Sequence, residues 1–316
     1  MSPRPWRDAW FDALYGPTGF YRRDEGPAGH FTTSAHGPLG AVLAEVVARL
    51  ADETGVCRVL DFACGRGELL GHLHNLRPDL ELVGVDVVER PHHLPSAIDW
   101  VRSPGGTGVP DELRDLDAVV LAHEWLDVVP CTVAEVDDDG VLREVLVDGA
   151  GTESLGDELS GADKGWADTW WPTTTPGDRV EVGLSRDLAW RELVSRNRTG
   201  VTIAVDYGHT RLERPTHGTL TAYREGQVTH PRPDGLHDLT AHVATDSLGA
   251  DEVVTQRELL HRLGLTAATP EHARASSDPL GYVHALARTS AIAALTDPNG
   301  LGGFHWAMTR HTRDHA

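Results

Sequence analysis

The feature that most constrains this chain is the run Val59-Leu60-Asp61-Phe62-Ala63, which passes directly into Cys64-Gly65-Arg66-Gly67 and then into Glu68-Leu69-Leu70-Gly71-His72-Leu73. An apolar run of this length reads as a buried strand of a parallel sheet, where both faces are covered. Leu69, Leu70, Leu73 and Leu76 recur at three- and four-residue intervals, which predicts a helix. The glycines between strand and helix permit a tight turn and let a ligand approach the backbone closely. The next apolar run, Leu80 to Val85, ends at Asp86, 25 positions after Asp61. An acidic residue there is placed to accept hydrogen bonds from ribose hydroxyls. The order strand, acid, G-x-G, helix, strand, acid predicts a nucleoside-containing cofactor at the carboxyl edge of an α/β sheet.

Two cofactor classes compete for such a turn. A dinucleotide site uses G-x-G-x-x-G, whose third glycine permits close helix–strand packing. Here that position is Leu70. The carboxylate of Asp61 would also crowd a pyrophosphate, yet it suits a cofactor tail carrying an ammonium and a sulfonium. The reading favours S-adenosyl-L-methionine, with Asp61, Ala63, Gly65, Gly67 and Asp86 as cofactor-binding residues.

The rest of the chain alternates strands and helices, which predicts a mainly parallel sheet with helices on both faces. Leu39 to Leu50 has helical spacing. Ala97 to Val101 and Asp117 to Ala122 read as strands, and Val129 to Gly149 as a β-hairpin around Asp139-Gly140. Residues from about 150 to 178, polar and Gly-rich with Trp166, Trp170 and Trp171, read as an insertion or flexible segment. The tryptophans would anchor that loop on the core or form a lid. Ser185 to Arg196 predicts a helix and Gly200 to Gly208 a buried strand. Asp238 to Leu248 predicts a helix capped by Asp238. Thr255 to Gly264 and residues about 279–295 predict two more helices, and Gly303 to Arg310 a final strand. Residues 1–37 read as a structured loop arm, because Phe11, Tyr15, Phe20, Tyr21 and Phe31 favour burial.

Composition excludes several classes. Lys+Arg number 28 against 48 Asp+Glu, a formal net charge of -20. Such a surface repels nucleic acid and anionic membranes, and tolerates a cationic protein segment. Cys57, Cys64 and Cys131 are odd in number and lack metal-clip spacing, so no disulfide framework and a reducing compartment are expected. The start, MSPRPWRDAW, carries no apolar signal region, and no apolar run approaches the roughly 18–20 residues of a membrane span. The expected location is cytoplasmic. His123-Glu124-Trp125-Leu126-Asp127 is not H-E-x-x-H, so no metal is expected. Neither a G-x-S-x-G elbow nor a phosphate-binding Walker loop is present.

Several motifs, in order, resemble the MidA-type methyltransferase family, which includes the mitochondrial complex I assembly methyltransferase. They are Ala13-Leu14-Tyr15-Gly16-Pro17-Thr18-Gly19-Phe20-Tyr21, Gly29-His30-Phe31-Thr32-Thr33-Ser34, the segment Ala122 to Pro130, Asp206-Tyr207-Gly208, Gly218 to Tyr223, Asp238 to Val243, and Thr255-Gln256. The likeness runs from about residue 8 to about 265. It implies a class I, Rossmann-like methyltransferase domain over residues 38–316, with an antiparallel C-terminal strand. It also implies a substrate region inserted at about 128–178, an arm at 1–37 folded over the active site, and methylation of a protein arginine. His30, Ala35-His36 and His123 depart from the family's Asp, Pro-Glu and Asn, and the cofactor loop departs from its E-x-G-P-G-R-G form.

Methyl transfer is an in-line displacement that depends on alignment, helped by a carboxylate that orients or deprotonates the nucleophile. Glu124 and Asp127 follow a core strand at the ligand edge and are the candidate catalytic residues, with His123 beside them at the cofactor. A carboxylate there could bind a guanidinium in bidentate fashion; the plainer role for Glu124 is to fix its loop. Asp206, Tyr207 and His242 are candidate substrate residues, with a turn or packing role as the alternative. Other functions open at this point are a small-molecule methyltransferase, a non-catalytic assembly factor, and, more distantly, a nicotinamide oxidoreductase.

Overall fold

The computed structural model describes residues 2–23 and 35–312. Its centre is a seven-stranded sheet in the order Glu252–Thr255, His305–His311, Asn197–Asp206, Leu116–His123, Arg58–Phe62, Glu81–Asp86, Ile98–Arg102. Neighbours from Asn197–Asp206 through Ile98–Arg102 are parallel. His305–His311 runs antiparallel to both strands beside it. This is a mixed α/β sheet.

Alternation along the strands divides the core. Val59, Val119, Leu121, Val201 and Ile203 face the helices Gly37–Thr54, Glu68–Leu76 and Pro279–Leu295. Leu60, Phe62, Val120 and Ala204 face Trp190 and Leu193 of the helix Leu184–Arg196. Period-two side chains on a sheet covered on both faces produce this division. No helix among the described residues is long and apolar enough to cross a membrane.

The segment after the His123 strand is more ordered than its composition implied. Strands Thr132–Val136, Leu142–Val147, Glu153–Glu158 and Arg179–Val182 form a second, antiparallel sheet, completed by Arg4–Pro5 from the start of the chain. The helix Gly161–Trp170 lies within the stretch read as an insertion or flexible segment. Trp166 and Trp171 are buried against this sheet, and Trp166 Nε1 donates to Asp187 Oδ2 at 2.7 Å. They anchor the insertion and do not form a lid.

Two further expectations need correction. Residues Trp6–Tyr15 are a helix, not a loop; Trp6, Ala9, Trp10, Ala13 and Leu14 are its buried stripe. The Gly/Pro-rich sequence beyond Tyr15 hid that spacing. Asp238–Thr240 is a strand against Thr221–Arg224, and Val243–Ala244 pairs with Gly208–His209. Asp238 to Ala241 are all buried, and four consecutive buried residues suit a strand covered on both sides, not the one-sided burial of a surface helix. His30 and Phe31 lie outside the described residues.

Candidate active site

Strand order reverses between Arg58–Phe62 and Leu116–His123, and ligands in open α/β sheets bind at such a reversal, outside the strands' carboxyl ends. A cavity with roughly 1300 Å³ of empty space, open mouth included, lies there. Asp61, Ala63, Cys64, Gly65, Asp86, His123, Glu124 and Asp127 line it.

On one side the Asp61 strand hands over to the loop. The N–H groups of Ala63 and Cys64 donate to Val85 O, at 2.8 and 3.2 Å. Asp86 Oδ2 accepts from Gly65 N at 2.8 Å, and Asp86 Oδ1 from Val88 N at 3.2 Å. The loop is therefore stitched to the next strand before any ligand binds. Ala63 (φ 60°) and Gly67 (φ 79°) are left-handed; Gly67 caps the helix Glu68–Leu76, and a Cβ there would come within 2.8 Å of Leu94. Gly67 thus shapes the turn from behind and is not part of the cavity wall. Val87 and Val88 continue the wall beyond Asp86, with Ser103, Gly105 and Gly106 from the loop after Ile98–Arg102. The Tyr15 ring covers Gly105, leaving no room for a Cβ there.

Charge identifies what this side accepts. Six acidic residues line the cavity (Asp61, Glu68, Asp86, Glu124, Asp127, Asp238) against two arginines, Arg23 and Arg66. Burial, and then the negative charges of Asp86 and Glu68, push the Asp61 carboxyl well above the usual carboxylate range. Burial pushes Asp86 up to about 6, although N–H groups of Val88, Gly65 and Val87 oppose the rise. A cationic ligand with ribose hydroxyls matches this set; a pyrophosphate does not. Asp61 and Asp86 would hold the amino-acid and ribose parts of an adenosyl cofactor.

These shifts predict a pH dependence of opposite sign for the free and the bound protein. Asp86 binds its proton more tightly in the folded chain than at its ordinary value of 3.8. Its contribution to the stability of the free protein therefore falls as pH rises from about 4 to about 6. A ligand that needs the ionised carboxylate binds more tightly over the same interval, about tenfold per pH unit below about 6 for each proton expelled. Calorimetric titration with S-adenosylhomocysteine between pH 5 and 8 should show affinity rising and then levelling; affinity that falls with pH would refute the assignment.

The other side of the cavity is built by the end of the His123 strand. Glu124 N–H donates to Val205 O at 2.8 Å, with Glu124 in a left-handed conformation (φ 54°). A non-glycine residue held there costs about 1–2 kcal/mol and marks a site where function outweighs strain. Glu124→Gly should raise stability by about 0.5–1 kcal/mol while removing the cavity carboxylate, as thermal melting would register. His123 lies 3.4 Å (Nδ1) from Glu124 Oε1 and stacks on Phe304 at 6.2 Å. Burial pushes its pKa down to about 4, so the imidazole is neutral near pH 7.

Asp127 sits deeper, its Oδ2 accepting from Thr240 Oγ1 at 2.8 Å. Arg186 is buried behind it and donates to three carbonyls: Asp127 O, Val129 O and His242 O. This pins the loop after the His123 strand to the helix Leu184–Arg196. Asp206 is not at the cavity wall; it lies behind Asp127, its Oδ1 accepting from Asp127 N at 3.2 Å. Tyr207 and His242 also lie off the wall and stack on each other at 5.8 Å, with Tyr207 on Phe304 at 4.3 Å. His123, Phe304, Tyr207 and His242 thus form an aromatic row from the cavity to the surface.

Sequence reasoning missed three contributors. Tyr15 and Tyr21 reach the cavity from the N-terminal segment, and Tyr21 Oη donates to Asp238 Oδ1 at 2.7 Å. Asp238, read as a helix cap, faces the cavity, and burial pushes it up to about 8. Its place in a six-residue motif was the available signal; local spacing gave none. His36, which the sequence reading placed in the N-terminal arm over the active site, lines the cavity with Nε2 3.5 Å from Glu68 Oε1.

The fold is similar to that of a COG1565 superfamily member from Burkholderia thailandensis crystallised with S-adenosyl-homocysteine. That likeness has a TM-score of 0.76 and 22% identity over 99% of this chain and 89% of the other. A native crystal structure of a COG1565 superfamily protein from the same organism aligns with a TM-score of 0.74, at 22% identity and with the same coverage. No curated protein matches the chain. A family model describing S-adenosyl-L-methionine-dependent methyltransferases matches residues 76–266, more than half of the chain. The chain belongs to this family of S-adenosyl-L-methionine-dependent methyltransferases.

Proposed function

We propose that the chain transfers a methyl group to a nitrogen of a protein side chain, with arginine as the first candidate, as in the MidA-type family it resembles. The observation that carries this is the acceptor side of the cavity, where Glu124, Asp127 and Asp238 supply three carboxyl groups. Bound S-adenosyl-L-methionine supplies a methyl group on a sulfonium sulfur. Asp61 and Asp86 hold it, and Glu124, fixed by its backbone bond to Val205, orients the incoming nucleophile. A planar cation donates two parallel hydrogen bonds to a carboxylate and stacks on aromatic faces, which Tyr207 and His242 offer outside the cavity. The net charge of -20 favours a cationic protein segment as partner and fits a cytoplasmic location.

The test is methylation with tritiated cofactor of arginine-containing peptides, lysate protein and small-molecule extracts side by side. Label on arginine is the expected result. Label confined to small molecules would overturn the protein acceptor. Binding of S-adenosylhomocysteine without any transfer would support a non-catalytic assembly factor.

A further inference from the structure

Every carboxyl group on the acceptor side has a neighbour that accounts for its position, except for two oxygen atoms. Asp127 Oδ1 and Asp206 Oδ2 are buried with no hydrogen-bond partner. They belong to adjacent side chains, 4% and 2% exposed, already joined by the Asp127 N to Asp206 Oδ1 bond. Two ionised carboxylates packed together away from water repel each other, and one shared proton removes that repulsion. We infer that Asp127 and Asp206 form a carboxylic acid–carboxylate pair that holds one proton, and that Asp127 receives the proton lost by the acceptor nitrogen while Asp206 is the positioning residue behind it.

The charged and titratable groups around the pair are consistent with a single negative charge. Arg186 contributes one positive charge from the helix Leu184–Arg196. Glu124 adds negative charge from the cavity, whereas Asp238, pushed up to about 8, and the phenols Tyr15, Tyr21 and Tyr207 face the pair as neutral groups. Thr240 donates to Asp127 Oδ2 and leaves Oδ1 for the shared proton or the acceptor. Burial raises both carboxyls above the ordinary range, Asp206 further than Asp127, with the negative charge of Asp127 adding to the rise.

The step balances. The acceptor nitrogen's lone pair forms the new N–C bond as the C–S bond breaks, and its electrons stay on sulfur. The N–H proton passes to Asp127, the pair becomes neutral, and it returns its extra proton to water once product leaves. This inference rests on the nitrogen acceptor proposed above only for the source of that proton.

The pair itself is tested without an acceptor. The full chain, carrying ¹³C-labelled aspartate and saturated with S-adenosylhomocysteine, is titrated by NMR, with Asp127→Asn and Asp206→Asn used for assignment. The expected result is two macroscopic steps belonging to the pair, collapsing to one in either variant. Two independent titrations near the ordinary aspartate value would overturn it. Thr240→Val, which exchanges a hydroxyl for a methyl, covers the case in which Asp206→Asn does not fold: it should move both steps together, and movement of one alone counts against a coupled pair. With an arginine peptide as probe, Asp206→Asn should shift the acid limb of the kcat profile by about one pH unit and leave S-adenosylhomocysteine affinity unchanged. An unshifted limb would assign Asp206 to packing alone. If wild type methylates no peptide, the nitrogen acceptor fails while the titration still decides the pair.

Discussion

Asp86→Ala is expected to weaken S-adenosylhomocysteine binding by about 100-fold or more. Two ribose hydroxyls bonded to an ionised carboxylate contribute about 1.5–3 kcal/mol each, and each 1.4 kcal/mol is a factor of ten in affinity. The side chain also accepts from Gly65 N and Val88 N, so its removal loosens the loop that faces the ligand. Asp86→Asn separates the two effects. It keeps an oxygen for one loop N–H, removes the charge, and eliminates a carboxyl that burial pushes up to about 6. The free Asn variant should melt no lower than wild type near pH 7, and its affinity should lose the pH dependence described above. Calorimetric titration and melting read both quantities. Unchanged affinity in both variants would remove Asp86 from the cofactor site.

Glu124→Gln is expected to lower turnover by about 10²–10⁴-fold, the range for a positioned acid–base group, with cofactor affinity within about threefold of wild type. The amide keeps the shape of the side chain and the backbone bond to Val205 but loses the charge that orients a cationic nucleophile. Single-turnover transfer from labelled cofactor measures it. A fall in KM-dependent rate with kcat preserved would make Glu124 a binding group only.

The central sheet was legible because parallel strands leave long apolar runs and the loop Asp61–Gly67 has glycines where the backbone needs them. Positions where side chains from distant segments meet were not. Tyr21 and Asp238 are 217 residues apart in sequence and bonded in space, a contact no local periodicity encodes. The helix Trp6–Tyr15 shows a second limit: its stripe was present, but the neighbouring Gly/Pro-rich segment dominated the reading. The strand Asp238–Thr240 shows a third. Its residues tolerate helix or strand, and tertiary packing against Thr221–Arg224 decided between them. Ala63 was read as a cofactor-binding residue of the loop; its left-handed backbone, which explains why the turn closes so tightly there, was not legible. Among the candidate site residues at strand ends, Asp61, Asp86, His123 and Glu124 came together at the cavity, whereas Asp206 lies behind Asp127. Tyr207 and His242, one step beyond, did not.

The claim on which the account depends is that the Asp61–Asp86 side of the cavity holds a cationic adenosyl ligand. Isothermal titration of the purified chain with S-adenosyl-L-methionine, S-adenosylhomocysteine and NADH at pH 7.5 tests it most directly. The account predicts saturable one-to-one binding of the first two and none of the third. Silence toward both adenosyl compounds at millimolar concentration, or heat with NADH alone, would contradict it.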